Sequence, residues 1–419
     1  MNQYMPMFFT CMKNYSKGQF VKDVIAGIIV AVVALPLSIA LAIASGVGPE
    51  MGLYTAIAAG FLISFLGGST VQIAGPTAAF ATIVAGVVAK NGTGGLAVAT
   101  VMAGIILVIM GICRIGGLIK FIPYPITVGF TSGIAVTILI GQLKDFFGVT
   151  YMHGESPIEA IEKIEALVHN FSTANIWSLI IGAVCLVVLF VFPKVTEKVP
   201  ASLIAVIIGV AAYKLLPVNI VTIGDLYPNI KSGLPPFAIP EFTAENIKAL
   251  LPDAFTIAVL AAIESLLSCV VADGMVNSKH RSNAELIAQG VGNVGSALFG
   301  GIPATGAIAR TAANVKNGGR TPVAGMVHAV VLLLVLLVLM PYAKMIPMAT
   351  IAAILIQVAY NMSHWKPFVK IVKTSAKSDV LVLVLTFILT IVFDLVVAIE
   401  AGLIVAGAAY LLKKFKKAK

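Results

Sequence analysis

Apolar runs close to the length that crosses the ~30 Å hydrocarbon layer of a bilayer recur from Val24 to Leu412, separated by short segments that hold Lys, Arg, Gly and Pro. The pattern predicts helices starting near Val24, Met51, Pro76, Leu96, Tyr124, Ile176, Val199, Pro252, Ala284, Ala304, Val323, Ile346, Ser378 and Val396. The expected fold is an all-α polytopic membrane protein with 14 transmembrane segments. The third and tenth runs, beginning at Pro76 and Ala304, are shorter, enriched in Gly, Ala and Thr, and each follows a segment bearing Gly and Pro. They read as two half-helices.

Composition changes the picture only by removing soluble alternatives. Of 419 residues 59% are hydrophobic and 11% charged, too few charged side chains to coat a water-soluble domain. The formal charge of +10 points to topology rather than to nucleic acid, because the basic residues fall in clusters between apolar runs. With the N-terminus inside, about 20 of the 28 Lys and Arg residues fall on the cytoplasmic side, from Lys13, Lys17 and Lys22 to Lys413 and Lys419. An even number of crossings then leaves both termini cytoplasmic, in a cytoplasmic (inner) membrane. Cys11, Cys113, Cys185 and Cys269 are scattered and lack metal-ligand or disulfide spacing, which predicts free thiols. No cleavable signal is evident, and the first apolar run is expected to remain as a helix. The segment from Thr150 to Asn175, with Glu155, Glu159, Glu162 and Glu165, reads as a solvated surface helix without chemistry.

Three signs occur twice and in the same order. Asp23, Gly67-Gly68 and Ile122-Pro123 are matched by Asp253, Gly300-Gly301 and Ile346-Pro347, at offsets between 224 and 233 residues. Two homologous halves of seven helices follow, and an odd number per half forces opposite orientations, giving a 7+7 inverted repeat. That architecture places a binding site near the bilayer midplane between broken helices.

The half-helices carry the candidate chemistry. Each is expected to turn its N-terminus toward the bilayer centre, where unpaired N–H groups and a partial charge of roughly +0.5 would favour an anion. The residues concerned are Gly75-Pro76-Thr77-Ala78-Ala79-Phe80 in the first and Pro303-Ala304-Thr305-Gly306-Ala307-Ile308-Ala309-Arg310 in the second. Close helix packing would also select such small residues. Arg310 favours the anion, since a guanidinium at membrane depth needs water, a partner or an anion; snorkelling to the interface is the other way to accommodate it. Glu264, in the middle of the eighth run, needs a similar explanation. Beside Arg310 it could exchange a proton or ligate a cation during transport, or form a static ion pair with it. Ser268, one turn on, shares its face and offers a further oxygen. No His, Cys or carboxylate cluster suggests an enzyme or a metal site, and no cofactor is expected beyond a coupling H+ or Na+.

Ala34-Leu35-Pro36-Leu37-Ser38, Gly48-Pro49-Glu50-Met51-Gly52-Leu53-Tyr54 and Gly75-Pro76-Thr77 resemble the sulfate permease (SulP) family of anion transporters. So do Ile263-Glu264-Ser265-Leu266-Leu267, Val271-Ala272-Asp273-Gly274-Met275, Gly300-Gly301-Ile302-Pro303 and Ala309-Arg310-Thr311. The resemblance spans nearly the whole chain. It implies a core domain of helices one to four and eight to eleven (22–113 and 252–343), a gate domain of the remainder (121–216 and 345–414), and elevator-like movement of one against the other. It also implies symport of a small inorganic or carboxylate anion such as sulfate, bicarbonate or a dicarboxylate, with the lipid bilayer and a second copy of the chain as partners. Carried over by position, the substrate cavity includes Leu37, Thr77, Phe80, Ala309 and Arg310, and the carboxylate position of the eighth helix is Glu264. The carboxylate is Glu rather than Asp and Ile308 is apolar, so the pattern of sodium-coupled bicarbonate members is incomplete and proton coupling is favoured. No C-terminal STAS domain is expected within residues 1–419. An uncoupled anion channel and a nucleobase permease of the same fold remain as alternatives.

Overall fold

The computed structural model describes residues 3–117, 123–151, 157, 159–196, 199–216, 219–230, 233–392, 401–402 and 405. The start of the helix expected from Val396 and the basic tail from Lys413 to Lys419 lie outside the described residues. What is described is mostly helical. Among these residues seven helices are long and apolar enough to cross a membrane: α2 (Lys17–Ala44), α3 (Pro49–Leu66), α4 (Ala78–Ile112), α5 (Tyr124–Phe147), α7 (Ile176–Val195), α10 (Ala244–Val276) and α13 (Val323–Ala343). Shorter helices complete the array: α1 (Met7–Cys11), α6 (Ala160–His169), α8 (Ala201–Leu215), α9 (Ile223–Leu226), α11 (Ser282–Leu298), α12 (Ile308–Lys316), α14 (Met348–Met362), α15 (Trp365–Thr374) and α16 (Lys377–Val392).

Local signals explain most boundaries. Ser16 caps α2 by accepting from the Gln19 N–H at 3.1 Å, Pro49 opens α3 at a position where a missing N–H costs little, and Asn175 and Thr243 cap α7 and α10. Gly148 and Asn277 close α5 and α10 in the left-handed conformation. The two expected half-helices are short. α4 is interrupted at Gly92, whose φ of 66° and ψ of −175° break the helical course, so its first part covers 78–91. At 1.5 Å per residue that part spans about 21 Å, and the nine residues of α12 about 13 Å, neither enough to cross a bilayer.

Two starts move. α2 begins at Lys17 and α10 at Ala244, so Asp23 lies inside its helix rather than ahead of it, and Asp253 lies nine residues into its own. Asp23 is fully buried because it acts as a tie, accepting from Tyr15 and Gln19 on its own side and from the backbone and hydroxyl of Thr321 and the Arg320 N–H across the fold. α15 was not among the predicted helices. Its lysines alternate with apolar residues, which mask it as a loop in a search for spans; Ile371 is its buried anchor, packed with Val128, Leu383 and Phe368.

The helices pack in two sets. α2, α3, α4, α10, α11, α12 and α13 contact one another, and α5, α7, α8, α14, α15 and α16 do the same, with α2 and α4 touching the second set along a narrower seam. Within the first set α4 and α11 cross at Gly104 and Gly290, where a Cβ on Gly104 would stand 2.6 Å from the Gly290 carbonyl. A side chain there would force the helices apart.

Candidate functional site

Both half-helices start from one short antiparallel strand pair. β1 (Ala74–Gly75) pairs with β2 (Thr305–Gly306) in the register Ala74 to Gly306 and Gly75 to Thr305, and the Ala307 N–H donates to the Ile73 carbonyl at 2.8 Å. β1 leads into α4 and β2 into α12. Antiparallel strands send the two helices away in opposite directions, so the positive ends of both helix dipoles are brought to the same place.

Neither first turn is capped by a side chain. Thr77 occupies the N-cap position of α4, where a threonine hydroxyl would ordinarily accept from the helix N–H groups. Here that hydroxyl donates instead to Glu264 Oε2 at 3.0 Å. The leading N–H groups of α4 are therefore left for a ligand, and the first turn of α12 is similarly open. Ile308 is 43% exposed and Ala309 is exposed beside it, while Leu37, Thr77 and Ala307 are half-buried. Ala78, Ala79 and Phe80 are buried: their backbone can face an anion, but their side chains belong to the apolar core.

Glu264 and Arg310 are both near the strand pair, but among the described residues no ion pair joins them. The pairing contemplated from the sequence is not formed because each has other partners. Arg310, 1% exposed, donates from Nη2 to the Ser38 hydroxyl on α2 and to the Pro76 carbonyl, both at 3.2 Å, and lays Nη1 against Gly75. Arg310 does not snorkel to the surface: it is folded back over β1. Glu264 sits on α10 against the N-cap of α4. Ser268 is fully buried and its hydroxyl meets no partner among the described residues, so no bond links it to Glu264.

Three side chains to which the sequence assigned no role hold this arrangement. Ser38 anchors Arg310. Ser265 accepts from the Gly306 N–H at 3.1 Å and meets the Thr305 hydroxyl at 2.6 Å, which fastens β2 to α10. Glu285, buried on α11, accepts from the N–H groups of Gly68 and Ser69 and from the amides of Gln72 and Gln289, fixing the chain that enters β1. The available signal was a hydroxyl or carboxylate inside an apolar helix, as at Glu264, but serines are too common in membrane helices to stand out.

The surface helix α6 is only partly as expected. Glu159, Glu162 and Glu165 are exposed, yet Lys163 turns inward to a cavity of about 30 Å³ that it shares with Ala81, Thr82, Ala85, Thr137, Gly141 and Gln142, at the seam between α4 and α5. Burial holds its ammonium below the ordinary lysine range, partly offset by Glu162.

The profile of the sulfate permease family matches residues 20–417. The chain belongs to that family. Membership makes it an integral membrane transporter of anions, not an enzyme, and favours anion over nucleobase transport. YvdB of Bacillus subtilis (strain 168) is 46% identical over 402 residues, covering 94% of this chain and 74% of its own. The bicarbonate transporter BicA of Picosynechococcus is 33% identical, covering 92% of this chain and 69% of its own. The solved transmembrane domain of a cyanobacterial BicA superposes with a TM-score of 0.82 at 30% identity, covering 92% of this sulfate permease family chain and 98% of that structure.

Proposed function

We propose that the chain is a secondary active transporter of a small oxyanion, sulfate or bicarbonate, which binds between the uncapped first turns of α4 and α12. The observation that carries this reading is the diverted Thr77 hydroxyl: an N-cap that serves Glu264 leaves helix N–H donors for an anion and ties their position to a titratable carboxylate. Backbone donors of Ala78, Ala79, Ile308 and Ala309 would hold the oxygens, Leu37 would shape the apolar wall with Phe80 packed in the core behind it, and Arg310 would supply the fixed positive charge. An ionised Glu264 opposes an anion in the same pocket, so binding a proton or Na+ at Glu264 would favour loading. The Ile308 side chain offers no oxygen to a sodium ion, which favours the proton.

The same reading takes the two packed sets as a core (22–113 and 252–343) that moves and a gate (121–216 and 345–414) that stays, in an elevator-like cycle. It takes the chain as 14 crossings in a 7+7 inverted repeat. Support comes from equivalent elements at similar places: α3 and α11, β1 and β2, and α5 and α14, whose N-caps are Pro123 and Pro347. The strand register agrees, since exchanging the two halves maps the pairing onto itself. Both termini would face the cytoplasm of the inner membrane, and two copies would associate.

Uptake of labelled sulfate and bicarbonate into proteoliposomes, with imposed proton or sodium gradients, tests the proposal. Concentrative uptake of either anion driven by one gradient is expected. Neither anion transported under any gradient, or unitary channel currents in a planar bilayer, would overturn it.

A further inference from the structure

A row of buried polar groups lies behind β1. Ala56, Gly60 and Ser64 are one turn apart on α3 and share a face. A Cβ on Gly75 would touch Arg310 Nη1 and stand 3.6 Å from the Ala56 Cα, and one on Gly60 would stand 3.3 Å from the Ala74 carbonyl and 3.9 Å from His328 Nδ1. One on Gly325, in the turn of α13 that precedes His328, would touch the Ser64 hydroxyl. Arg310, His328 and Ser64 are thereby aligned between α3, β1 and α13, with glycines keeping other side chains out of the row.

These three residues are 1%, 0% and 4% exposed. Yet Nε and Nη1 of Arg310, both ring nitrogens of His328 and the Ser64 hydroxyl have no hydrogen-bond partner among the described residues. Orphaned buried polar atoms are costly, and several of them side by side are ordinarily satisfied by water. The direct contacts of the guanidinium, both at 3.2 Å, are long for charge-assisted bonds, which prefer about 2.7–2.9 Å.

We propose that Arg310, His328 and Ser64 enclose a short file of water molecules, and that His328 is a positioning residue for Arg310, acting through the water nearest the guanidinium. That water accepts from Nε or Nη1 and donates to one nitrogen of the neutral imidazole, while the other ring N–H donates onward along the file toward Ser64. The charge is thus held against β1 from behind while Ser38 and Pro76 hold it from the other side. The inference rests on the reading of Arg310 as the fixed cation of the anion site.

The test combines kinetics and a map of the full-length protein in lipid nanodiscs. His328→Leu is expected to raise the KM for labelled sulfate or bicarbonate about tenfold, and His328→Gln, which keeps a donor and an acceptor, to stay within about threefold of wild type. In an Arg310→Lys background His328→Leu is expected to add less than about twofold, because the planar group it positions is gone. A purely structural role would instead make the two substitutions additive and leave Gln no better than Leu; either result, or an unchanged KM in His328→Leu, overturns the proposal. If His328→Leu does not fold, a high-resolution wild-type map decides: density within hydrogen-bond reach of both Arg310 and His328 supports it, and its absence where other buried waters are visible overturns it. The map is independent of transport, so a protein that moves neither anion but shows the water file sinks the functional reading alone.

Discussion

The two half-helices start from the same strand pair and do opposite things with their first turns. The first is neutral and sends a hydroxyl from Thr77 to a carboxylate on α10. The second is cationic and sends a guanidinium from Arg310 to a hydroxyl on α2 and a carbonyl on the first segment. Each therefore grips the opposite half of the chain. Under the proposed repeat, Glu264 corresponds to Ala34 and Ser268 to Ser38, at the offset of Asp23 and Asp253. The backbone pattern is duplicated, but the charges are placed once each. A symmetric site would hold an anion equally from both sides and have no titratable handle; under the proposed function the asymmetric one separates holding, assigned to Arg310, from coupling, assigned to Glu264.

The comparison breaks most severely at Arg310. Replacing it by alanine removes the fixed charge and leaves Ser38 and the Pro76 carbonyl without their donor, and sulfate or bicarbonate uptake at low concentration is expected to fall about a hundredfold. Retained uptake in proteoliposomes would show that the helix ends suffice alone. Next in size is Glu264→Gln, which keeps the shape and a hydrogen-bond acceptor for Thr77 but cannot change charge. Gradient-driven accumulation is expected to drop at least tenfold while exchange of anion across the membrane persists. The measurement is uptake against an imposed proton or sodium gradient compared with counterflow, and gradient dependence equal to wild type would remove Glu264 from coupling.

How far these roles could be read in advance depended on how unusual each residue is in its surroundings. Arg310 and Glu264 stood out because a charge within an apolar run has few explanations. The half-helices stood out because Gly75-Pro76 and Gly300 to Pro303 interrupt the hydrophobic period. The direction of the Arg310 side chain did not, since a residue near a helix start can face the gap or fold back over the strand, and only the space left by Gly75 decides. The strand pair itself was missed: two residues per strand give no alternation to recognise. The surface helix α6 was read as uniformly solvated because its glutamates dominate, although Lys163 lies on the face that meets α5. Asp23 gave a false helix boundary, because a buried tie and an N-cap both favour aspartate.

A smaller effect is expected where the comparison depends on space. Gly75→Ala would place a methyl group against Arg310 Nη1. The guanidinium is pinned on its other side, so it must shift, and the KM for the anion is expected to rise about fivefold with little change in melting temperature. An unaltered KM would mean that the position of the guanidinium over β1 is immaterial to binding.

The smallest and most discriminating effects come from the paired serines. Both are fully buried on helices long and apolar enough to span, at places the proposed repeat makes equivalent, but Ser38 accepts from Arg310 and Ser268 bonds to no described residue. Ser38→Ala removes an acceptor from a buried charge, for which the typical cost of about 1.5–3 kcal/mol is an upper range because the Pro76 carbonyl still accepts from the same nitrogen. An increase in KM of about threefold is expected, and Ser268→Ala should change uptake and gradient dependence by less than about twofold. A reversed order, with Ser268→Ala altering the gradient dependence and Ser38→Ala silent, would move the coupling group from Thr77 and Glu264 one turn along α10. It would also mean that the division of labour between the halves follows the helices rather than the strand pair.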